Sequence, residues 1–206
     1  MSKVHITKRL EWAKNYVQQD FSRVIFSDEA RVSLDGPDKW QKGWILKDLT
    51  RPITLCLQKQ GGSVMIWACI INDTIIGPFR VPDGLKLTSK SYVDFLKNNL
   101  LKFYENFEDK EKNALLFMHD NAPAHAAKNT KQFLKNRGIK TMKWPPNSPD
   151  LNPIENFWGI LKTKLYEGGK KYKSKNELWT EIFSICSNIE KNLIKKLTSS
   201  TKKKNF

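Results

Sequence analysis

The chain has 206 residues, 39% of them hydrophobic and 11% aromatic, enough for a packed core in one large domain or two small ones. Its 36 Lys and Arg stand against 21 Asp and Glu; the resulting charge of +15 suits a polyanionic partner and makes nucleic acid the leading class. The longest apolar run, 64–71, is far short of the ~20 residues of a membrane span, the N-terminus MSKVHITKRLEW has no signal-peptide core, and Cys56, Cys69 and Cys186 lack metal or disulfide spacing.

In chain order, residues 7–18 read as a helix and VIFSDEARVSL (24–34) as an alternating strand. A turn at 35–38 leads to KWQKGWIL (39–46), a hairpin partner, and then a polar loop runs to Gly61-Gly62. SVMIWACII (63–71), the turn Asn72-Asp73 and TIIGPFRV (74–81) form a second hairpin. Residues 89–107 have helical periodicity, with Tyr92, Phe95, Leu96, Leu100, Phe103 and Phe107 on one side. ALLFMHD (114–120) is a short apolar run ending in polar residues, as in a strand buried on both faces.

A helix over about 125–137, a short strand IKTMKW (139–144), a helix after Pro153 and a capped helix opening at Ser174 with Glu177 complete the series. Antiparallel strands followed by strands alternating with helices predict an α/β fold, a mixed five-stranded sheet flanked by helices, in a single domain over 1–206. Its core spans about 20–190. The C-terminal 45 residues carry twelve Lys against four Glu, and 198–206 reads as a basic, flexible tail.

Three carboxylates stand out. On the strand 24–34 one face reads Val24, Phe26, Asp28, Ala30, Val32, Leu34, which places Asp28 on the buried side. A carboxylate taken out of water costs several kcal/mol unless an Arg, a hydrogen-bond network or a metal compensates it. Glu29 faces the other way and reads as solvated. Asp120 closes the apolar run Leu115–Met118, where the loops beyond strand ends form ligand crevices. Glu155 sits near a helix start: Asn152 reads as the N-cap, Pro153 as the first helical residue, and Glu155 as the third, placed for a capping box.

Ile154, Phe157, Trp158, Leu161 and Leu165 then form the core-facing stripe, ended by Gly168-Gly169. Gly159 costs such a helix about 1 kcal/mol relative to Ala, which suggests a close approach to the backbone there. Taken together, the three carboxylates are hard oxygen ligands of the magnesium type, suited to phosphoryl transfer on nucleic acid. Taken singly, a buried Arg, turn N–H groups and the helix cap would account for each.

The segments SDEARVSL, GGSVMIWAC, HDNAPAH and WPPNSPDLNPIENFWGILK, in this order, resemble the catalytic domain of Tc/mariner superfamily transposases over about residues 5–190. The resemblance places the metal-binding, catalytic triad on Asp28, Asp120 and Glu155, with 34 residues between the last two and a Glu third, as in the Tc branch. It implies a ribonuclease H-like fold, two Mg²⁺ ions with Mn²⁺ able to substitute, cleavage of double-stranded DNA at transposon ends and joining at a TA target. It further implies a nuclear protein and a homodimer during transposition, with no membrane partner.

His119, Asn121, His125, Gly159 and Lys162 are the further candidates for supporting the triad or touching DNA; for the two histidines, capping and packing compete. Family members carry a helix-turn-helix region ahead of this domain and a longer final segment, so a truncated element copy, a fragment of a longer protein and a domesticated protein are the alternatives the resemblance leaves open. A non-catalytic DNA-binding regulator and a ribonuclease H-type nuclease are the alternatives.

Overall fold

Four strands pair into one mixed sheet in the computed structural model, which describes residues 3–36 and 62–204. They are β1 (Val24–Ser33), β2 (Ser63–Ile71), β3 (Thr74–Arg80) and β4 (Leu116–Met118), in spatial order β3-β2-β1-β4. β1 pairs antiparallel with β2 from Phe26↔Ile70 to Ser33↔Ser63, and parallel with β4 from Val24↔Leu116 to Phe26↔Met118. The expected fifth strand, 139–144, is reduced to one parallel bridge between Thr141 and Phe117. Ile139 and Met142 are both buried yet three residues apart, a spacing that a period of two does not support, and Pro145-Pro146 then ends any ladder. The expected hairpin partner at 39–46 lies outside the described residues.

The helices among the described residues are α1 (Lys3–Tyr16), α2 (Ser89–Asn98), α3 (Leu100–Tyr104), α4 (Asp109–Lys112), α5 (Pro123–Ala126), α6 (Lys128–Asn136), α7 (Pro153–Leu165), α8 (Lys175–Ser187) and α9 (Lys191–Lys204). None is long and apolar enough to cross a membrane. The helix expected over 89–107 breaks at Asn99, whose backbone leaves the helical region (φ −120°, ψ −63°) while its side-chain amide donates to the Phe95 carbonyl. The stretch expected as a flexible tail is helical to Lys204: Ile194 and Thr198 are buried one turn apart, and the Thr198 hydroxyl donates to the Asn72 carbonyl at 2.7 Å, docking α9 on the β2–β3 turn.

Both faces of the sheet are covered. On one, Val24, Phe26, Val32, Ile66, Ala68 and Ile70 pack with Trp12, Ile154, Phe157, Trp158, Leu178, Ile182 and Ile194 from α1, α7, α8 and α9. On the other, Ile25, Trp67, Cys69 and Phe117 pack with Tyr92, Leu96, Leu100 and Leu134 from α2, α3 and α6. Cys69 and Cys186 are buried free thiols, and burial raises both above the ordinary thiol range. Because helices lie on both sides, alternation along β1 decides which layer a residue meets, and not whether it meets water.

Candidate active site

Parallel pairing brings the first two carboxylates together. Phe26 is level with Met118, so two residues further along the neighbouring chains Asp28, within β1 and paired with Ala68, comes beside Asp120, just past the end of β4. The third arrives on α7. Asn152 caps that helix, accepting from the Ile154 N–H at 3.4 Å, and its side-chain amide donates to the carbonyl of Ser27, the residue before Asp28, at 3.3 Å. Asp28, Asp120 and Glu155 therefore line one cavity of about 500 Å³, with Asn121, Trp144, Asn152 and the loop 145–149 around them. Among the described residues, no lysine or arginine lines it. Among the described residues, no three His, Cys, Asp or Glu side chains are already grouped closely enough to hold an ion between them. Ligation by all three carboxylates thus requires side-chain rotation within the cavity.

Each carboxylate is held differently. The Trp158 indole N–H donates to Asp28 Oδ2 at 3.0 Å. Burial, and then the charges of Glu155 and Glu29, push Asp28 up to about 7 against that hydrogen bond. Asp120 Oδ1 accepts from the Ala122 N–H at 2.9 Å and from His125 Nδ1 at 2.6 Å, and these bonds, led by His125, hold its carboxyl below the usual range. Glu155 is exposed at the cavity rim, and its carboxylate hydrogen-bonds to no described residue. Partial burial raises its pKa, and Lys162 pulls the other way. The capping box expected of Glu155 is absent: the Asn152 N–H it would reach already donates to the Pro149 carbonyl at 2.9 Å, closing a 3₁₀ turn over Pro149–Leu151. Capping belongs to Asn152, and the Glu155 carboxylate is left to the cavity.

Glu29 is not solvated. Its side chain is 18% exposed, and its Oε1 lies 3.5 Å from Nε2 of His125, which is 3% exposed. At that distance the contact is an ion pair and falls short of a hydrogen bond, and neither atom has another partner among the described residues. Burial alone would lower His125, but the Asp120 hydrogen bond and the charges of Glu29 and Asp120 outweigh it and push the imidazole up to about 9. His125 is therefore a cation clamped between a cavity carboxylate and a buried one. Its ring lies 4.1 Å from Tyr92 and stacks on His119 at 5.1 Å and 6°. Burial, and then His125, lower His119 to about 3; neutral, it shares a hydrogen bond with the Tyr92 hydroxyl through Nδ1 at 3.2 Å and does not touch Asp120.

Of the remaining candidates, the Asn121 amide donates to the Trp144 carbonyl at 2.9 Å and lines the cavity. Lys162 acts on Glu155 through charge alone. No described residue outside its own helical turn approaches Gly159: a Cβ there would meet no such atom within 4 Å. Sequence reasoning assigned Trp158 only to the core stripe and Glu29 to solvent. Trp158 carried a signal, since it lies one residue from Glu155's next helical turn and brings a donor that must be satisfied when buried. The burial of Glu29 carried none.

The DDE superfamily endonuclease family matches residues 23–179. The chain is 34% identical over 202 residues to the transposable element Tc3 transposase of Caenorhabditis elegans, covering 97% of this chain and 59% of that protein. It is 28% identical over 208 residues to the Caenorhabditis elegans Tc1 transposase, covering 97% and 73%. The fold superposes on the catalytic domain of Mos1 mariner transposase with a TM-score of 0.77 at 14% identity, covering all of this chain and 92% of that one. With a pre-cleavage Mos1 transpososome the TM-score is 0.85 at 16% identity, covering 61% of that chain. The sheet and its helices are thus ribonuclease H-like, and the chain spans about six-tenths of the Tc3 protein. On the family match over residues 23–179, the chain belongs to the DDE superfamily endonucleases.

Proposed function

We propose that this chain is the catalytic domain of a Tc-type transposase, cutting double-stranded DNA at transposon ends and joining the freed 3′-hydroxyl to a TA target. One observation carries the reading: three carboxylates from distant segments line a single cavity that no described lysine or arginine lines, in a chain of charge +15. The strain of that arrangement shows in Asp28, raised to about 7 by burial and by neighbouring carboxylates. A hard cation would relieve it, and the donor set of carboxylates without thiols suits Mg²⁺ or Mn²⁺. Mos1 catalytic-domain structures are described with Mg and with Mn, which supports the same class of metal here.

Asp28, Asp120 and Glu155 would hold the metals, and two bound ions would supply activation of the attacking oxygen and stabilisation of the leaving one. The chain's own residues supply the rest. Trp158 fixes the orientation of Asp28, and His125 that of Asp120. Asn152 sets the start of α7 against β1. Double-stranded DNA as the partner, a dimer during transposition and a nuclear location belong to this reading, and the Mos1 complex with a transposon end supports the DNA partner.

The test is cleavage of a pre-nicked transposon-end-like duplex in millimolar Mg²⁺ or Mn²⁺, alongside thermal unfolding with and without metal. The wild-type protein is expected to cut and to gain thermal stability. Asp120→Asn and Glu155→Gln are expected to do neither. A wild-type protein that cuts nothing and gains no stability from either metal would leave a DNA-binding regulator on a ribonuclease H-like fold.

A further inference from the structure

A groove of about 800 Å³ opens beside the carboxylate cavity, and the two share Asp120, Asn121 and Trp144. One wall is α6, the other the stretch 138–144, and buried Leu134, Ile139 and Met142 lie along the floor. Lys131 and Lys135 come from the helical wall, and Lys140 and Lys143 from the opposite one; all four are exposed. Among the described residues, Asp120, at the cavity end, is the one acidic side chain lining the groove. Lys140 donates to the Asn113 carbonyl at 2.6 Å, but none of the four forms an ion pair with a described carboxylate. Lys97, Lys112, Lys170 and Lys175, by contrast, each face an Asp or Glu within 3.3 Å. Four unneutralised charges facing each other across a concavity repel one another, and they focus a positive potential that only an anion relieves.

We propose that this groove holds the sugar–phosphate backbone of a single DNA strand running from the carboxylate cavity. The proposal rests on the reading of that cavity as the site of strand cleavage. Lys131 and Lys135 are four residues apart on a helix, about 6 Å along its axis at 1.5 Å per residue. Successive phosphates of one strand rise ~3.4 Å, so two lysines on each wall reach two to three consecutive phosphates. Charge on both walls matches one backbone flanked on either side, whereas a duplex would ride on the rims. The strand enters beside Asp120, which lines both the groove and the carboxylate cavity, so a backbone in the groove places an adjoining phosphodiester at the three carboxylates.

The experiment measures fluorescence anisotropy in EDTA across a NaCl series, for a blunt duplex and for the same duplex with a single-stranded overhang. The wild-type protein should bind the overhang duplex more tightly. With Lys131, Lys135, Lys140 and Lys143 all changed to Ala, that preference should vanish. The slope of log K against log[salt] on the overhang duplex should shrink by about 1.5 to 2, at ~0.7 for each of the two to three single-strand phosphates. Changing Lys171, Lys191, Lys195 and Lys196 to Ala makes the same charge change away from the groove and should keep the preference. Changing the four groove lysines to Arg should keep it too.

The proposal is overturned if the wild-type protein shows no overhang preference, if the two Ala sets lose it equally, or if the folded Arg variant loses it. Since no metal is present, these outcomes are independent of cleavage. A cleavage failure with the preference intact would leave a strand-binding groove beside an inert cavity.

Discussion

Replacing Asp28 by Asn should stabilise the metal-free protein, and the structure sets the size of the gain. Burial, Glu155 and Glu29 raise Asp28 from 3.8 to about 7. At ~1.4 kcal/mol per unit, holding it ionised above pH 7 costs the fold roughly 4 kcal/mol. Asn keeps the shape and still accepts from Trp158. Water entering the cavity will already relieve part of the cost, so the expected gain at pH 8 is about 2 to 4 kcal/mol. For a chain of this length that is at least ~4 °C in Tm.

The sign fixes the pH dependence. A carboxyl with a raised pKa binds more protons in the folded state between pH 3.8 and about 7, so the wild-type protein loses stability as pH rises through that window. Asp28→Asn does not. Urea unfolding in EDTA at pH 5 and pH 8 measures the gap, which should be small at the lower pH and wide at the higher. Manganese should then stabilise the wild-type protein and leave the variant unmoved. A variant less stable than wild type at pH 8 without metal, or a gap independent of pH, would refute the account of Asp28 as a carboxylate strained by its neighbours.

Three further outcomes are expected. Trp158→Phe keeps the ring in the core but removes the N–H from Asp28, and should weaken Mn²⁺ binding 10- to 100-fold by calorimetry while costing about 1 to 2 kcal/mol of stability. Glu29→Gln and His125→Asn should be coupled in a double-mutant cycle by about 1 to 2 kcal/mol at pH 7. His125 is raised to about 9, so the coupling is whole below pH 6.5 and should disappear as pH passes 9. Gly159→Ala should raise stability by about 1 kcal/mol in thermal unfolding, since its Cβ meets nothing within 4 Å.

Much of this site was legible because its parts obey local rules. Alternation along β1 put Asp28 on the face that packs against α7, and the cap-proline pair Asn152-Pro153 marked where α7 begins. Glu29 was misread for a physical reason. A period of two reports which face a residue takes, and what covers that face comes from Tyr92 and His125, some sixty and a hundred residues further along the chain, which no local pattern encodes. The helical C-terminus was misread differently: lysines at 202–204 drew attention from the apolar spacing of Ile194, Leu197 and Thr198 just before them.

Glu155 shows how a local rule can be outbid. A Glu three residues after an Asn N-cap is the signature of a capping box, and in isolation the N–H at the cap would be its partner. Here Pro149 and Leu151 turn the chain so that the Asn152 N–H is already bonded to the Pro149 carbonyl before the helix starts. The Asn152 side chain then does two things at once, capping Ile154 through its oxygen and gripping the Ser27 carbonyl through its amide. That second bond ties the start of α7 to the residue before Asp28, and with the Trp158–Asp28 bond and the packing of Ile154 and Phe157 it holds the helix-borne carboxylate beside the strand-borne one. The cap residue, and not Glu155, therefore carries the structural role at the helix start, which leaves the Glu155 carboxylate with no hydrogen bond to any described residue and its charge at the rim of the cavity.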